Sequence, residues 1–135
     1  MSRRLVSCVG VAILFSITIA FAQGEKKGEV SFKSDVFPII KAKCLPCHAE
    51  DNFNPSELSM DSYDGLVNGG KHGAPVKAGK AKESLLIEKI GEKPKFGDKM
   101  PLNSKKKIAE GKAVYLSADE IKSIATWIDQ GAKNN

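Results

Sequence analysis

The chain has 135 residues, 41% of them hydrophobic and 27% charged, with a net charge of +5 at neutral pH. That length is a prior for one domain. The charge is mildly basic, and no basic stripe interleaved with aromatics runs along the chain, which argues against a nucleic-acid binder; the longest basic run, Lys105 to Lys107, reads as solvated loop charge.

The first residues carry an export signature. Arg3 and Arg4 precede an almost wholly apolar run from Leu5 to Ala22, which closes on Ala20-Phe21-Ala22, a small-x-small cleavage pattern. The pattern predicts a signal peptide over residues 1–22, cleaved after Ala22, and a chain delivered to the periplasm or cell envelope. A retained anchor is the alternative, because the run approaches the ~18 apolar residues of a spanning candidate; with cleavage there is no lasting membrane span. Cys8 lies before most of the apolar run, where an acylated cysteine does not belong, and reads as an apolar residue of the signal. Cleavage leaves 113 of the 135 residues and, by removing Arg3 and Arg4, lowers the net charge from +5 to +3.

Residues 23–31 are polar at first and read as a flexible lead-in. A helix is predicted from about Ser34, capped by that serine, with Phe32, Val36, Ile39 and Ile40 on one face and Pro38 blurring its start. Asp61 or Ser62 caps a short helix holding Tyr63, Leu66 and Val67, stopped by Gly69 and Gly70. A further short helix holds Leu85, Leu86, Lys89 and Ile90 on one face and ends at Gly91. The stretch from Lys93 to Lys107 reads as irregular. The last element is the clearest: Ser117 and Glu120 form a capping box, Ile121, Ile124, Ala125 and Ile128 share a face widened by Trp127, and Gly131 sits past the end. No long alternating strand is present, so the predicted fold is all-α.

The chemistry concentrates in Cys44-Leu45-Pro46-Cys47-His48. With the signal removed, Cys44 and Cys47 are the only cysteines left, and a disulfide across so short a loop would restrain little of the unfolded chain. A thioredoxin-like dithiol needs βαβ units around the motif, which are missing. Structural zinc needs four ligands, and only Cys44, Cys47, His48 and His72 are available, with His48 adjacent to Cys47. The third reading is c-type haem, whose attachment signature is Cys-x-x-Cys-His. Two thiols at that spacing match the two vinyl groups of the porphyrin, and the next residue falls under the iron, so His48 becomes the proximal ligand. Met is a common sixth ligand opposite His. Met100, in Lys99-Met100-Pro101, is held away from helix by the proline and has no core reason to be there. Met60 reads as a core residue and His72 as a surface one; both, and an open position, remain alternatives.

Beyond these residues, the chain resembles the planctomycete-type cytochrome c domain of the wider class I group. The resemblance runs from about Phe32 to Ala132. It rests on Val36-x-Pro38-Ile39-Ile40 before the cysteines, Leu58-x-Met60-Asp61-x-Tyr63, Gly69-Gly70, Ser84-Leu85-Leu86, Met100-Pro101 and Trp127-Ile128-x-x-Gly131-Ala132. Met60 stands where the family usually has an aliphatic residue, and Ala78-Gly79 where it usually has Pro-Gly. The resemblance implies a small helical fold over residues 32–135 around one covalent haem c, thioether-bonded through Cys44 and Cys47, with His48 and Met100 as axial ligands. It implies an electron carrier rather than an enzyme, serving separate redox proteins. Trp127, Ile124, Ile128, Phe37 and Ile40 are expected to wall the haem or to pack the core. Lys41, Lys43, Lys71, Lys77 and Lys99 flank the binding segments and would steer an acidic partner, unless they are ordinary solvated lysines. A peroxidase-like enzyme or a gas or redox sensor with an open sixth position is the competing expectation.

Overall fold

The structure, a computed structural model, describes residues 28–135. The expected signal peptide over residues 1–22, Cys8 within it and the start of the lead-in lie outside the described residues. Among the described residues six α-helices follow one another: α1 (Phe37–Lys43), α2 (Leu45–His48), α3 (Tyr63–Asn68), α4 (Leu85–Ile90), α5 (Lys105–Ala109) and α6 (Ala118–Asp129). A π-helical turn (Phe32–Val36) leads into α1 and a 3-10 turn (Ala81–Glu83) into α4. Among the described residues there is no strand, only an isolated bridge between Gly70 and Gly73. The all-α expectation holds.

Apart from α6, these helices are far below the ~12–15 residues at which an isolated helix becomes marginal in water. Caps and packing must therefore hold them. Serine supplies the cap at four starts: Ser31 accepts from Ser34 N–H at 3.3 Å, Ser62 from Gly65 at 3.0 Å, Ser104 from Lys107 at 3.3 Å and Ser117 from Glu120 at 3.2 Å. Ser117 and Glu120 complete the predicted capping box, with Ser117 N–H donating to Glu120 Oε2 at 2.7 Å.

Two boundaries differ from expectation. The first helical segment begins at Phe32 under a Ser31 cap, not at Ser34. Proline lacks an N–H and clashes with the carbonyl four residues back, so it belongs in a first turn; the wide turn before Phe37 puts Pro38 in that position. The stretch read as irregular up to Lys107 contains the start of α5, so Lys105–Lys107 are helical, though exposed.

The core forms where the N-terminal segment, α3 and α6 meet. Phe32, Val36, Ile40, Leu66, Ile124, Trp127 and Ile128 are buried. The Phe32 ring lies 5.4 Å from Trp127 and 5.3 Å from Tyr63, the latter edge-on. The polar ends of these rings are satisfied: Tyr63 OH donates to Ala132 O at 2.8 Å and Trp127 Nε1 to Lys133 O at 2.8 Å. The chain end closes over this cluster. Phe32 N–H donates to Asn135 Oδ1 at 2.8 Å, Ser31 Oγ to Asn135 O at 2.9 Å and Val30 N–H to Gln130 Oε1 at 2.8 Å. Residues 28–31, assigned from sequence to the lead-in, are thus tied to the C-terminal tail. Their partners lie about a hundred residues away, which no local pattern reveals.

Candidate functional site

α1 runs almost directly into α2, so the two cysteines lie on one helical turn. Cys44 N–H donates to Ile40 O at 2.8 Å, and both Cys47 and His48 N–H donate back to Cys44 O, at 3.0 and 2.9 Å. Cys44 is half-buried and Cys47 exposed, and both are free thiols. Burial pushes the Cys44 thiol up to about 11.

His48 is the next residue on this turn. Its Nδ1 lies 3.2 Å from the carbonyl oxygen of Leu58. A carbonyl can only accept, so Nδ1 carries the proton and Nε2 holds the free lone pair. That carbonyl is part of a braced loop. Met60 N–H donates to His48 O at 2.9 Å and Lys71 N–H to Ser56 O at 2.9 Å. Gly70 lies so close that a Cβ there would meet Ser56 O at 2.2 Å and Leu58 N at 2.7 Å, so only glycine fits.

All of this opens onto one cavity of about 540 Å³, within the roughly 300–1,000 Å³ of ligand pockets. Cys44, Cys47, His48 and Met100 all line it, brought there from two segments more than fifty residues apart. Its apolar walls come from Leu58, Met60, Pro75, Leu85, Leu86 and Leu116. Of the two readings for Trp127, Ile124, Ile128, Phe37 and Ile40, packing of the core is the one observed: none of them is in the lining, four are buried in the core and Phe37 packs half-buried against it. The missing signal was present in Ser84-Leu85-Leu86, whose apolar face was legible but not its direction. Buried Ser84 aims it: Lys77 N–H donates to Ser84 Oγ at 2.9 Å, and Ser84 Oγ donates to Lys80 O at 2.9 Å.

Met100 reaches the cavity from the segment that follows α4. Its N–H donates to Lys89 O on α4 at 2.7 Å. The Lys89 ammonium donates to Phe96 O at 2.8 Å and lies 4.8 Å from the Phe96 ring centre, while Lys95 N–H donates to Glu88 Oε1 at 2.9 Å. Adjacent residues of α4 therefore pin the 95–100 segment at three points. The other two sixth-position candidates also line the cavity. Met60 is buried to 2% exposure, and its backbone is held by His48's own carbonyl. His72 is exposed, with its ring 5.9 Å from Phe96.

The residues fit a c-type haem: an apolar cavity, two thiols on one turn, an imidazole with its outward nitrogen fixed and its inner one free, and a thioether from a distant segment. They do not fit a reactive dithiol, whose attacking thiol needs a lowered pKa, whereas Cys44 is raised. Among the described residues no cluster of three or more His, Cys, Asp or Glu side chains could hold a metal ion.

Comparison with known proteins bears on the same segment. Residues 44–101, from Cys44 to the residue after Met100, match the family model of planctomycete cytochrome C. Over residues 44–101 the chain carries a planctomycete-type cytochrome c domain. Haem c and a haem-based redox role go with that family. The chain is also similar to hydrazine synthase subunit alpha of Kuenenia stuttgartiensis, at 30% identity over 139 residues, covering 81% of this chain and 16% of that protein. It thus spans only a small part of that relative's length. No solved structure matches. Among the described residues of this cytochrome domain, no helix is long and apolar enough to cross a membrane.

Proposed function

We propose that the protein is a monohaem electron carrier of the periplasm or cell envelope. One observation carries this reading: His48, both flanking thiols and Met100 line a single apolar cavity, with His48 Nδ1 committed to Leu58 O. A haem held there supplies a reversible one-electron iron couple. Cys44 and Cys47 would hold it through thioether bonds, which is why neither thiol needs to be reactive in the finished protein. His48 would bind iron through Nε2, and the Leu58 carbonyl keeps the ring in that tautomer.

Met100 is favoured over Met60 because the two are anchored on different segments. Met60 is bonded to His48's own carbonyl and sits among the residues that brace the histidine, whereas Met100 is anchored on α4. A Met/His pair raises the potential relative to two histidines. The low-polarity walls limit water access, and Phe53, which lines the cavity, is 94% exposed.

Partners are taken to be separate, acidic redox proteins. Lys43 lines the cavity, Lys41 is exposed nearby and Lys99 lies 4.4 Å over the Tyr115 ring. Lys71 and Lys77 already face Glu57 and Glu83, at 3.1 and 3.7 Å, so less of their charge is left for a partner. The competing reading is catalysis or sensing at an open sixth position, supported by His72 in the cavity wall and by a relative named as an enzyme subunit.

The test is to express the mature chain with haem-attachment machinery, titrate its redox state and mix the reduced protein with carbon monoxide. A covalent haem with a one-electron transition and a slow carbon monoxide reaction supports the carrier. A fast reaction moves the site to the competing reading, and a chain that takes up no haem overturns both.

A further inference from the structure

We infer that Asn54 is a positioning residue that sets the donor strength of His48 by sharing the carbonyl oxygen on which His48 depends. This rests on His48 being an iron ligand, as proposed above. The Leu58 oxygen accepts from two donors, His48 Nδ1 at 3.2 Å and Asn54 Nδ2 at 2.6 Å. The amide cannot be turned over. Asn54 Oδ1 accepts from Ser56 N–H at 3.2 Å and Ser56 Oγ at 2.7 Å. A backbone N–H only donates and a carbonyl only accepts, so Oδ1 and Nδ2 are assigned by their partners.

The oxygen has no freedom to favour one donor. Glu57 N–H donates to Asn54 O at 2.9 Å, closing a turn in which Glu57 adopts a left-handed φ of 55°. Gly70 presses on the same turn from behind, at the close approach described above. The shorter of the two bonds belongs to Asn54, so the amide draws on charge that the imidazole would otherwise use.

The consequence has a sign. A stronger bond from Nδ1–H to its acceptor makes Nε2 more basic, and a more basic ligand favours ferric over ferrous iron. Asn54 weakens that bond, so it holds the reduction potential up. No change of protonation is involved.

The test compares the midpoint potentials of the haem-loaded mature chain and its variants, alongside the proton resonance of His48 Nδ1–H. Asn54→Ala is expected to lower the potential, cutting the reduced-to-oxidised ratio at fixed applied potential by about fivefold if one ordinary hydrogen bond is redirected in full. The Nδ1 proton moves downfield, as a stronger hydrogen bond requires. Asn54→Asp keeps the acceptor for Ser56 and removes the donor but adds a negative charge that lowers the potential by itself, so its deciding readout is the Nδ1 proton, which moves downfield even if the alanine variant fails to fold. Ser56→Ala, which leaves the bond to Leu58 in place, shifts neither. A potential that Asn54→Ala leaves unchanged or raises, or an Nδ1 proton that Asn54→Asp leaves in place or moves upfield, overturns the inference, and so does an equal fall in potential in Ser56→Ala. A wild-type chain without covalent haem contradicts the functional reading itself, whereas a haem-loaded chain indifferent to Asn54 contradicts only this inference.

Discussion

Cys44 and Cys47 share one helical turn but not one environment. Burial holds the Cys44 thiol protonated up to about 11, while Cys47 is exposed. The thiolate is the nucleophile, so in the haem-free mature chain iodoacetamide at pH 8 should alkylate Cys47 first, with Cys44 at least about tenfold slower. Mass spectrometry of the partly labelled chain reads this, and equal labelling contradicts it. Residues of this kind were legible in the sequence, because two thiols and an imidazole at fixed spacing carry their chemistry in their identity. The Leu58 carbonyl was not, since any residue supplies a carbonyl. Nor was the role of Asn54, which in a loop of asparagines and a proline reads as turn-forming.

Among the elements, α4 and α6 show what a periodic pattern can and cannot say. Both had a readable apolar face, and the stronger pattern, α6, was equally compatible with the cavity wall and with the core. In the fold α6 turns its face to Phe32 and Tyr63, and α4 supplies the wall. Periodicity reports that a face is buried and not against what. α5 was missed for the opposite reason: it is five residues long and buries none of them, so it leaves no periodic trace. The division of labour has consequences. Trp127→Ala removes a ring 1% exposed from the core and should destabilise the domain by about 3–5 kcal/mol, read by chemical denaturation. A much smaller loss, under about 1 kcal/mol, would mean the ring is not packed as described. Lys89→Ala should leave stability near wild type but loosen the segment carrying Met100, because it removes the ammonium bond to Phe96 O and the contact with its ring. The haem-loaded variant should then react with carbon monoxide about tenfold faster, the equivalent of one hydrogen bond to a charged group, and Lys89→Arg should restore the slow rate. An unchanged rate in Lys89→Ala contradicts the pinning role.

For the whole molecule, charge sets the terms of encounter. Export would leave a net charge of +3, too little to act at long range through a Debye length of about 8 Å at physiological salt. Steering must therefore be local to the cavity, which Lys43 lines. The rate of electron transfer to an acidic redox protein should fall as ionic strength rises. Lys43→Gln should flatten that dependence more than Lys77→Gln, since Lys77 already faces Glu83 at 3.7 Å. A flat profile in the wild type removes the steering role.

The central claim concerns the cavity that joins Cys44, Cys47 and His48 to Met100, and one measurement meets it directly. The optical spectrum of the mature chain, expressed with haem-attachment machinery, is recorded for the wild type and for Met100→Ala. The account predicts covalent haem in both, with the weak long-wavelength band of a methionine–iron bond in the wild type and its loss in the variant. No covalent haem in the wild type, or a band that survives the substitution, would contradict it.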